Sequence, residues 1–203
     1  MQNPKKIAVL VACLVAISPL PAQILWNMDT AAASSGVPAN LTVSSLTSVN
    51  GGGTTFSSTN ASLGYTGASG GNNASVAAVT GALDLSSSTY FQFTLTPASG
   101  YTVSLTHLSV GTDSLLLSGP ATVSFHSSAD NYATSLGSTS GLGLATWSLA
   151  NPASFTAVTG TAASPLTVRI YGYGGTVSLG TTNWAIDDLS ATVSLSAIPE
   201  PSA

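Results

Sequence analysis

The chain has 203 residues, of which three are basic and seven acidic, so only 5 % are charged and the formal net charge at pH 7 is −4. A typical soluble domain has about 25 % charged residues. The chain contains 33 Ser and 26 Thr, yet 44 % of its residues are hydrophobic. This apolar fraction excludes a disordered polar tract, because such tracts lack the side chains needed to form a core.

Residues 1–22 have the organisation of a secretory signal peptide. Lys5 and Lys6 form a basic segment, an apolar run follows at 7–17, and small residues lead to Ala22, after which we expect cleavage. The apolar run is shorter than the roughly 18 residues of a membrane-spanning helix. We therefore expect an exported protein whose mature chain has no membrane span.

The only cysteine, Cys13, lies inside this signal, so the mature chain has no disulfide and no thiol ligand or nucleophile. The sequence at 10–13 also resembles the lipobox of bacterial lipoproteins, which would make Cys13 a lipidated first residue. Few apolar residues precede Cys13, compared with about 7 to 15 in the apolar segment of a signal, and an apolar stretch follows it. We favour the ordinary signal peptide.

Export leaves Arg169 as the only Lys or Arg of the mature chain. Binding to a phosphate backbone requires several such side chains, because each neutralises one phosphate and releases counterions. The composition therefore excludes nucleic acid as a partner. It is consistent with a location at the cell surface or outside the cell.

Short runs that alternate apolar and hydroxyl residues fill positions 23–196, and Gly, Asn, Pro and Asp separate them. We expect strands at 24–29, 41–49, 62–65, 75–79, 90–95, 103–110, 122–126, 145–149, 166–171 and 184–195. About ten strands with no helix to cover a parallel sheet favour two packed antiparallel sheets. The prediction is a single all-β domain, an antiparallel β-sandwich with a jelly-roll-like arrangement.

The parity of the apolar residues predicts an irregularity in one of these strands. Leu105 and Leu108 fall on opposite faces of a regular strand, so we expect a β-bulge near 106–107. Trp26 and Trp184 lie in strongly apolar strand patterns, and we assign both to the core.

Two glycine-rich segments, 51–53 and 64–73, are expected to form loops. The second is rich enough in Gly and Asn to border a ligand. Asp84, Asp113 and Asp130 are expected at turns, where aspartate commonly hydrogen-bonds the nearby backbone.

No catalytic residue is assigned. Ser69 lies in a Gly-x-Ser-x-Gly pattern, but a nucleophile elbow needs a strand-to-helix turn, and no helical pattern follows. His107 and His126 lie in strand patterns and are expected to be partly buried and hydrogen-bonded, and no zinc motif is present. Glycoside hydrolysis needs two carboxyls about 5 to 9.5 Å apart, which two acids on different strands can supply.

The segment Asn183, Trp184, Ala185, Ile186, Asp187, Asp188, Leu189 is the most informative part of the domain. It resembles the Ile-Asp-Asp or Ile-Asp-Asn signature near the last strand of extracellular jelly-roll modules, including MAM-like and carbohydrate-binding-like domains. Ile186 and Leu189 have opposite parity, so if both face the core the strand must bulge at Asp187 or Asp188.

A calcium site is one interpretation of these acids. The first and last strands of a jelly roll run close together, which would bring Asn27 and Asp29 near Asp187 and Asp188. Calcium takes six to eight oxygen ligands, and backbone carbonyls and water complete such a shell. In the alternative interpretation, Asp187 and Asp188 accept hydrogen bonds from backbone amides at the bulge.

Glycan binding requires exposed aromatic rings that stack on the C–H faces of sugars, with polar groups nearby for the hydroxyls. Tyr171 and Tyr173 have the parity opposite to the apolar residues of their strand and are expected to face away from the core. Trp147, together with Tyr132 and Asn131, is expected to contribute from loops.

The sequence 197–203 contains Pro199, Glu200 and Pro201. Together with the signal and the composition, it resembles the bacterial PEP-CTERM proteins, whose sorting tail begins with Pro-Glu-Pro. The resemblance implies processing by envelope sorting machinery and association with extracellular polysaccharide. The family's tail continues into a hydrophobic helix and an arginine cluster, neither of which follows Pro201, so we expect a truncated tail or a released protein.

These observations favour an exported, non-catalytic module of the cell surface or extracellular matrix that binds polysaccharide. A purely structural component of a matrix or surface layer is the first alternative. A small glycan-active hydrolase is the second. Binding requires an aromatic patch, whereas a structural role predicts self-association without sugar.

Overall fold

The computed structural model describes residues 20–29, 32–58, 61–79, 81–152, 155–176 and 182–199. Most of the predicted signal peptide, including Cys13, lies outside the described residues, as do Glu200 and Pro201. In the described part no helix is long and apolar enough to cross a membrane.

The protein is an antiparallel β-sandwich. The described residues form thirteen strands and one 3₁₀ turn: β1 (Ala22–Trp26), β2 (Leu41–Val43), β3 (Thr47–Val49), β4 (Gly52–Ser58), β5 (Asn73–Ala77), β6 (Tyr90–Pro97), β7 (Tyr101–Ser114), β8 (Thr122–Ser127), η1 (Ser128–Asp130), β9 (Ser135–Ser140), β10 (Ser148–Ala150), β11 (Val158–Thr161), β12 (Leu166–Tyr173) and β13 (Trp184–Ala197).

The strands form two sheets. The seven-stranded sheet has the order β10-β7-β13-β5-β4, with β1 also paired to β13 and β11 to β7. The six-stranded sheet has the order β2-β6-β12-β8-β9, with β3 also paired to β6. The predicted fold class is confirmed, and the arrangement is compatible with a jelly roll.

The structure corrects several details of the prediction. The sequence does not predict β4, β9 or β11, because GGTTFSS, SLGSTS and VTGT consist mainly of Gly, Ser and Thr and show little apolar alternation. The expected strand at 62–65 belongs instead to the loop between β4 and β5, and Gly52 begins a strand rather than lying in a loop.

Two of the three aspartates predicted at turns lie there, and the third does not. Asp84 accepts backbone hydrogen bonds in the turn at 84–88, and Asp130 ends the 3₁₀ turn. Asp113 lies inside β7 with 2 % of its surface exposed, so the prediction that it forms a turn is wrong.

Aromatic side chains fill the space between the sheets. Trp26 and Phe93 lie with ring centroids 4.5 Å apart, and Phe91 meets the edge of Trp184 at 5.0 Å. All four side chains are fully buried. The assignment of both tryptophans to the core is confirmed, and each ring pair adds packing energy beyond its buried area.

β13 is the central strand of the seven-stranded sheet. β7 pairs with it along almost its whole length, and the register shifts where His107 pairs with Thr192 but Leu105 pairs with Val193. A second shift lies between Asp187 and Ser190. Both predicted bulges are therefore confirmed.

Phe93→Ala should lower the free energy of unfolding by about 3–5 kcal/mol, because the truncation leaves a cavity beside Trp26 in a tightly packed core. Thr42→Ala, on an exposed position of β2, is the control and should change stability by less than about 0.5 kcal/mol. Urea unfolding monitored by tryptophan fluorescence measures both. Equal effects of the two substitutions would contradict this account of the core.

Candidate functional site

The bulge in β13 lies at a gap in the seven-stranded sheet. On one side of β13, β5 pairs with residues 184–186 and β1 pairs with residues 189–193. Asp187 and Asp188 fall between these two partners. Asp188 adopts a left-handed backbone conformation, φ 48°, which aspartate tolerates better than most residues. The extra residue lets Ile186 and Leu189 both face the core, where they are fully buried.

The loop between β4 and β5 covers this gap. The Tyr65 hydroxyl donates to Asp188 Oδ2 at 2.7 Å, and the backbone N–H of Ser69 donates to the same oxygen at 2.9 Å. The Ser62 hydroxyl lies 3.4 Å from it, and Ser69 Oγ donates to Asp187 at 3.4 Å. The bulge carboxylates therefore fix the loop to the sheet.

A third carboxylate holds the end of the loop. Asp29 Oδ1 accepts from the backbone N–H of Asn72, and Asp29 Oδ2 accepts from the Asn27 amide, both at 2.9 Å. A Cβ atom at Gly71 would overlap the Asp29 carboxylate. Glycine is therefore required where the loop passes this side chain.

The environment of Asp187 favours its protonated form. Burial, together with the nearby carboxylates of Asp188 and Asp29, raises the pKa of Asp187 to about 6 against the lowering effect of hydrogen bonds. The structure thus places these three acids near one another, as expected from the closeness of the first and last strands.

The side chains predicted as calcium ligands all take part in hydrogen bonds within the protein; they are Asn27, Asp29, Asp187 and Asp188. Backbone N–H groups of Asn72 and Ser69 donate to Asp29 and Asp188, and the Asp188 N–H donates to Asp187 at 2.8 Å. This is the geometry of the alternative interpretation. Among the described residues no group of three or more His, Cys, Asp or Glu could hold a metal ion.

The loop positions Tyr65 against the outer face of the seven-stranded sheet. The ring lies on Gly111, where any Cβ atom would overlap it, and Gly111 pairs with Asp187 across the sheet. Burial, with the adjoining Asp188 carboxylate, raises the pKa of Tyr65, so its hydroxyl remains a donor. Trp147 lies beside it, with ring centroids 6.2 Å apart. Both rings are half-buried.

Two clefts flank this aromatic pair. The larger, of about 600 Å³, is lined by Ala61, Leu63, Gly64, Asp113, Leu115, Ala145, Thr146 and Trp147. The smaller, of about 300 Å³, is lined by Gln23, Leu25, Tyr65, Thr66, Gly67, Ser109, Leu149, Asp188 and Ser190. Each cleft combines one ring of the pair with hydroxyl and carboxyl groups. We call the two rings and the two clefts the aromatic face.

The other predicted glycan residues lie on the six-stranded sheet. The Arg169 guanidinium stacks on the rings of Tyr132, at 3.7 Å, and Tyr90, at 4.4 Å, and donates to the Tyr171 hydroxyl at 3.2 Å. Tyr171 lies outside the hydrophobic core cluster, as predicted, but it is fully buried beneath this stack, so the prediction that its ring is exposed for stacking is wrong. Parity places Tyr171 outside the inter-sheet core, but it does not report the side chains that cover it.

The structure therefore separates the predicted glycan-binding residues between the two sheets. Asn131 and Tyr132 both have left-handed backbone conformations next to η1, which place the Tyr132 ring over Arg169. Tyr173 is half-buried at the end of β12. Trp147 is on the opposite sheet, and its partner Tyr65 was not predicted. The feature of the sequence that could have indicated Tyr65 is its position in the glycine-rich loop. Sequence alone does not show that this loop lies against Trp147.

Ser69 of the nucleophile pattern and His126 have structural roles. Ser69 lies in a loop, and its hydroxyl accepts from the Gly71 N–H. His126 is buried, its ring nitrogens contacting Ser124 Oγ at 3.1 Å and the Tyr132 carbonyl at 2.8 Å. Burial lowers the pKa of His126. The expectation of a buried, hydrogen-bonded histidine is confirmed for this residue.

Comparison with protein-family models finds no match, and comparison with curated proteins finds no match either. Functional inference for this chain therefore depends on its own geometry.

Asp187→Asn should raise the melting temperature at pH 8 and change it little at pH 4. The raised pKa of Asp187 means that the folded state holds the proton more tightly than the unfolded state. The stabilisation of the folded state by this proton is therefore complete below about pH 4 and is lost as the pH rises through about 6. Thermal unfolding across pH 4 to 8 measures the difference between variant and parent.

Asp84→Asn is the matched control, and its effect on stability is expected to have the opposite sign. Hydrogen bonds from Ser86 lower the pKa of the exposed Asp84, so this substitution should cost stability at neutral pH and less in acid. A difference between Asp187→Asn and the parent that is constant with pH would exclude the proposed environment of Asp187.

Proposed function

We propose that the protein is an exported, non-catalytic module of the cell surface or extracellular matrix that binds polysaccharide on the aromatic face. The single observation that carries this proposal is the Tyr65–Trp147 pair, which lies between two clefts lined with hydroxyl and carboxyl groups. The resemblance of the 183–189 segment to carbohydrate-binding-like modules is consistent with the same role.

The chemistry of the pair suits a sugar. Aromatic rings cover the apolar C–H faces of pyranose rings, while nearby oxygen atoms accept or donate hydrogen bonds to the hydroxyls. Tyr65 is held by Asp188 on one side and by the close approach of Gly111 below. A ring fixed before binding loses little conformational entropy on contact with its ligand, which favours affinity.

Export is supported by the sequence at both ends of the domain. Residues 1–22 have the pattern of a secretory signal, and 199–201 match the first residues of the PEP-CTERM sorting tail. Envelope sorting machinery is a partner if the tail continues. Nucleic acid is excluded as a partner because Arg169 is the only Lys or Arg after the signal, and its guanidinium is stacked on tyrosine rings.

The hydrogen bonds and burial of the acidic side chains support the proposal of a non-catalytic module. Asp188 already accepts from Tyr65 and Ser69, and Asp187 lies buried beneath the same loop. A general acid and base need access to the substrate and to water. The hydrolase interpretation instead predicts that reducing ends accumulate when the protein is incubated with polysaccharide.

Trp147→Ala should weaken polysaccharide binding at least tenfold, or about 1.4 kcal/mol, because it removes one of the two stacking rings. The measurement is retention of the purified protein on immobilised dextran, hydroxyethylcellulose, galactomannan, alginate and hyaluronan, with affinities from depletion. Tyr65→Phe keeps the ring but loses the hydrogen bond to Asp188, so it should reduce binding less than Trp147→Ala.

Tyr173→Ala is the control, because Tyr173 is a half-buried aromatic residue on the other sheet. Binding that depends on Tyr173 and not on Trp147 would move the site to the six-stranded sheet. Retention on none of the five polysaccharides would reject the proposed function, and release of reducing ends would favour the hydrolase.

A structural role in a matrix or surface layer is the second candidate, and β9 is the observation in its favour. This edge strand, SLGSTS, pairs only with β8 among the described strands and contains no charge or proline. Edge strands usually carry such residues because free backbone groups pair with other chains.

If the protein assembles through this edge, Ser138→Lys should abolish self-association, because Ser138 is exposed and a charge on the edge opposes strand pairing. Sedimentation velocity over a range of concentrations measures the assembly. Thr159→Lys, an exposed position on β11, is the control with the same change in charge. A protein that remains monomeric at all concentrations contradicts the structural candidate.

A further inference from the structure

We propose that the aromatic face takes uncharged polysaccharide chains and rejects anionic ones that carry carboxylate or sulfate groups. This inference rests on the proposed function and names the ligand class of the same site. Its basis is the placement of charged side chains around the two clefts.

Each cleft contains one carboxylate. Asp113 lines the larger cleft, and Asp188 lines the smaller one. Among the described residues that line the two clefts there is no Lys, Arg or His. Any ligand that contacts Tyr65 and Trp147 together therefore borders two linings that each contain one carboxyl group and no basic side chain.

Further acids lie behind these two. Asp187 and Asp29 are close enough to Asp188 for their charges to influence one another. Four of the six aspartates in the described chain therefore belong to this side of the sandwich, and the other two, Asp84 and Asp130, lie in turns. Most of the acidic side chains among the described residues are therefore on the side of the sandwich that bears the aromatic face.

The positive charge is on the opposite side. Arg169 belongs to β12, in the six-stranded sheet, where its guanidinium stacks on Tyr90 and Tyr132. Packed sheets lie about 10 Å apart, and charges are screened over about 8 Å at physiological salt. Arg169 therefore does not offset the acids of the aromatic face. His107, two residues along β7 from Ser109, lines neither cleft.

Uncharged sugars fit this lining better than anionic ones. Carboxylates only accept hydrogen bonds, and sugar hydroxyls are donors that match them. The hydroxyls of Thr146, Thr66 and Ser190 act as donors or acceptors for the remaining sugar oxygens. A uronate or sulfate group would instead place an acceptor and a like charge beside Asp113 or Asp188, which opposes association.

The test compares one polysaccharide in two charge states. The purified protein is titrated with dextran and hydroxyethylcellulose, and with carboxymethyl-dextran and carboxymethylcellulose. We expect the carboxymethyl form of the bound backbone to bind at least tenfold more weakly at about 50 mM NaCl, with a smaller difference at about 500 mM because salt screens repulsion.

A charge introduced into the smaller cleft provides the second arm. Thr66 is exposed and lines that cleft beside Asp188. Thr66→Lys should raise the ratio of affinity for the carboxymethyl form to affinity for the neutral form about three- to fivefold, as expected for one exposed ion pair. Thr42→Lys, on an exposed position of the six-stranded sheet, adds the same charge elsewhere and should have no effect.

The outcomes separate this inference from the function on which it depends. Binding of alginate, hyaluronan or a carboxymethyl derivative as tightly as neutral chains overturns the inference but supports polysaccharide binding. An equal gain from Thr66→Lys and Thr42→Lys also overturns it, because the effect would then be that of net charge alone. Binding to no polysaccharide rejects the proposed function itself.

Discussion

The bulge at Asp187 and Asp188 is the constraint on which the aromatic face depends. Without the extra residue, Ile186 and Leu189 would point to opposite sides of the sheet, and one of two fully buried side chains would leave the core. With it, Asp188 takes a left-handed backbone and its carboxylate accepts two short hydrogen bonds from the loop above. Packing inside the sandwich therefore determines where the surface loop is attached.

Because the loop is attached to the sheet, the packed core also restricts the position of this surface loop. Surface loops are usually the mobile parts of a β-sandwich, but here Asp188 accepts from Ser62 and Ser69 and Asp29 accepts from Asn72, so the segment is held near both of its ends. Tyr65 lies between these points and presses on Gly111, a strand residue that itself pairs with Asp187. The ring that faces Trp147 is thus fixed by the sheet rather than by the loop alone.

The sequence predicted correctly those features that depend on the alternation of apolar and polar residues along a strand. Opposite parity of apolar residues located both bulges, and alternation located most strands and the two core tryptophans. It did not recover strands such as β9, whose small polar residues lack alternation. It also assigned Tyr171 to an exposed surface, because parity gives the face of a sheet but not what covers it. The Tyr65–Trp147 pair joins residues 82 positions apart, beyond any local pattern.

The scarcity of charge explains how the acids are accommodated. In a chain with Arg169 as its only described Lys or Arg, and with that guanidinium stacked on tyrosines, the aspartates of the bulge depend on hydroxyl and backbone donors. Such donors stabilise a carboxylate while burial opposes its charge, and at Asp187 burial prevails. The same residues that fix the loop therefore leave the outer face negative, so the geometry that presents the aromatic pair also determines the charge of the face on which we propose that polysaccharide binds.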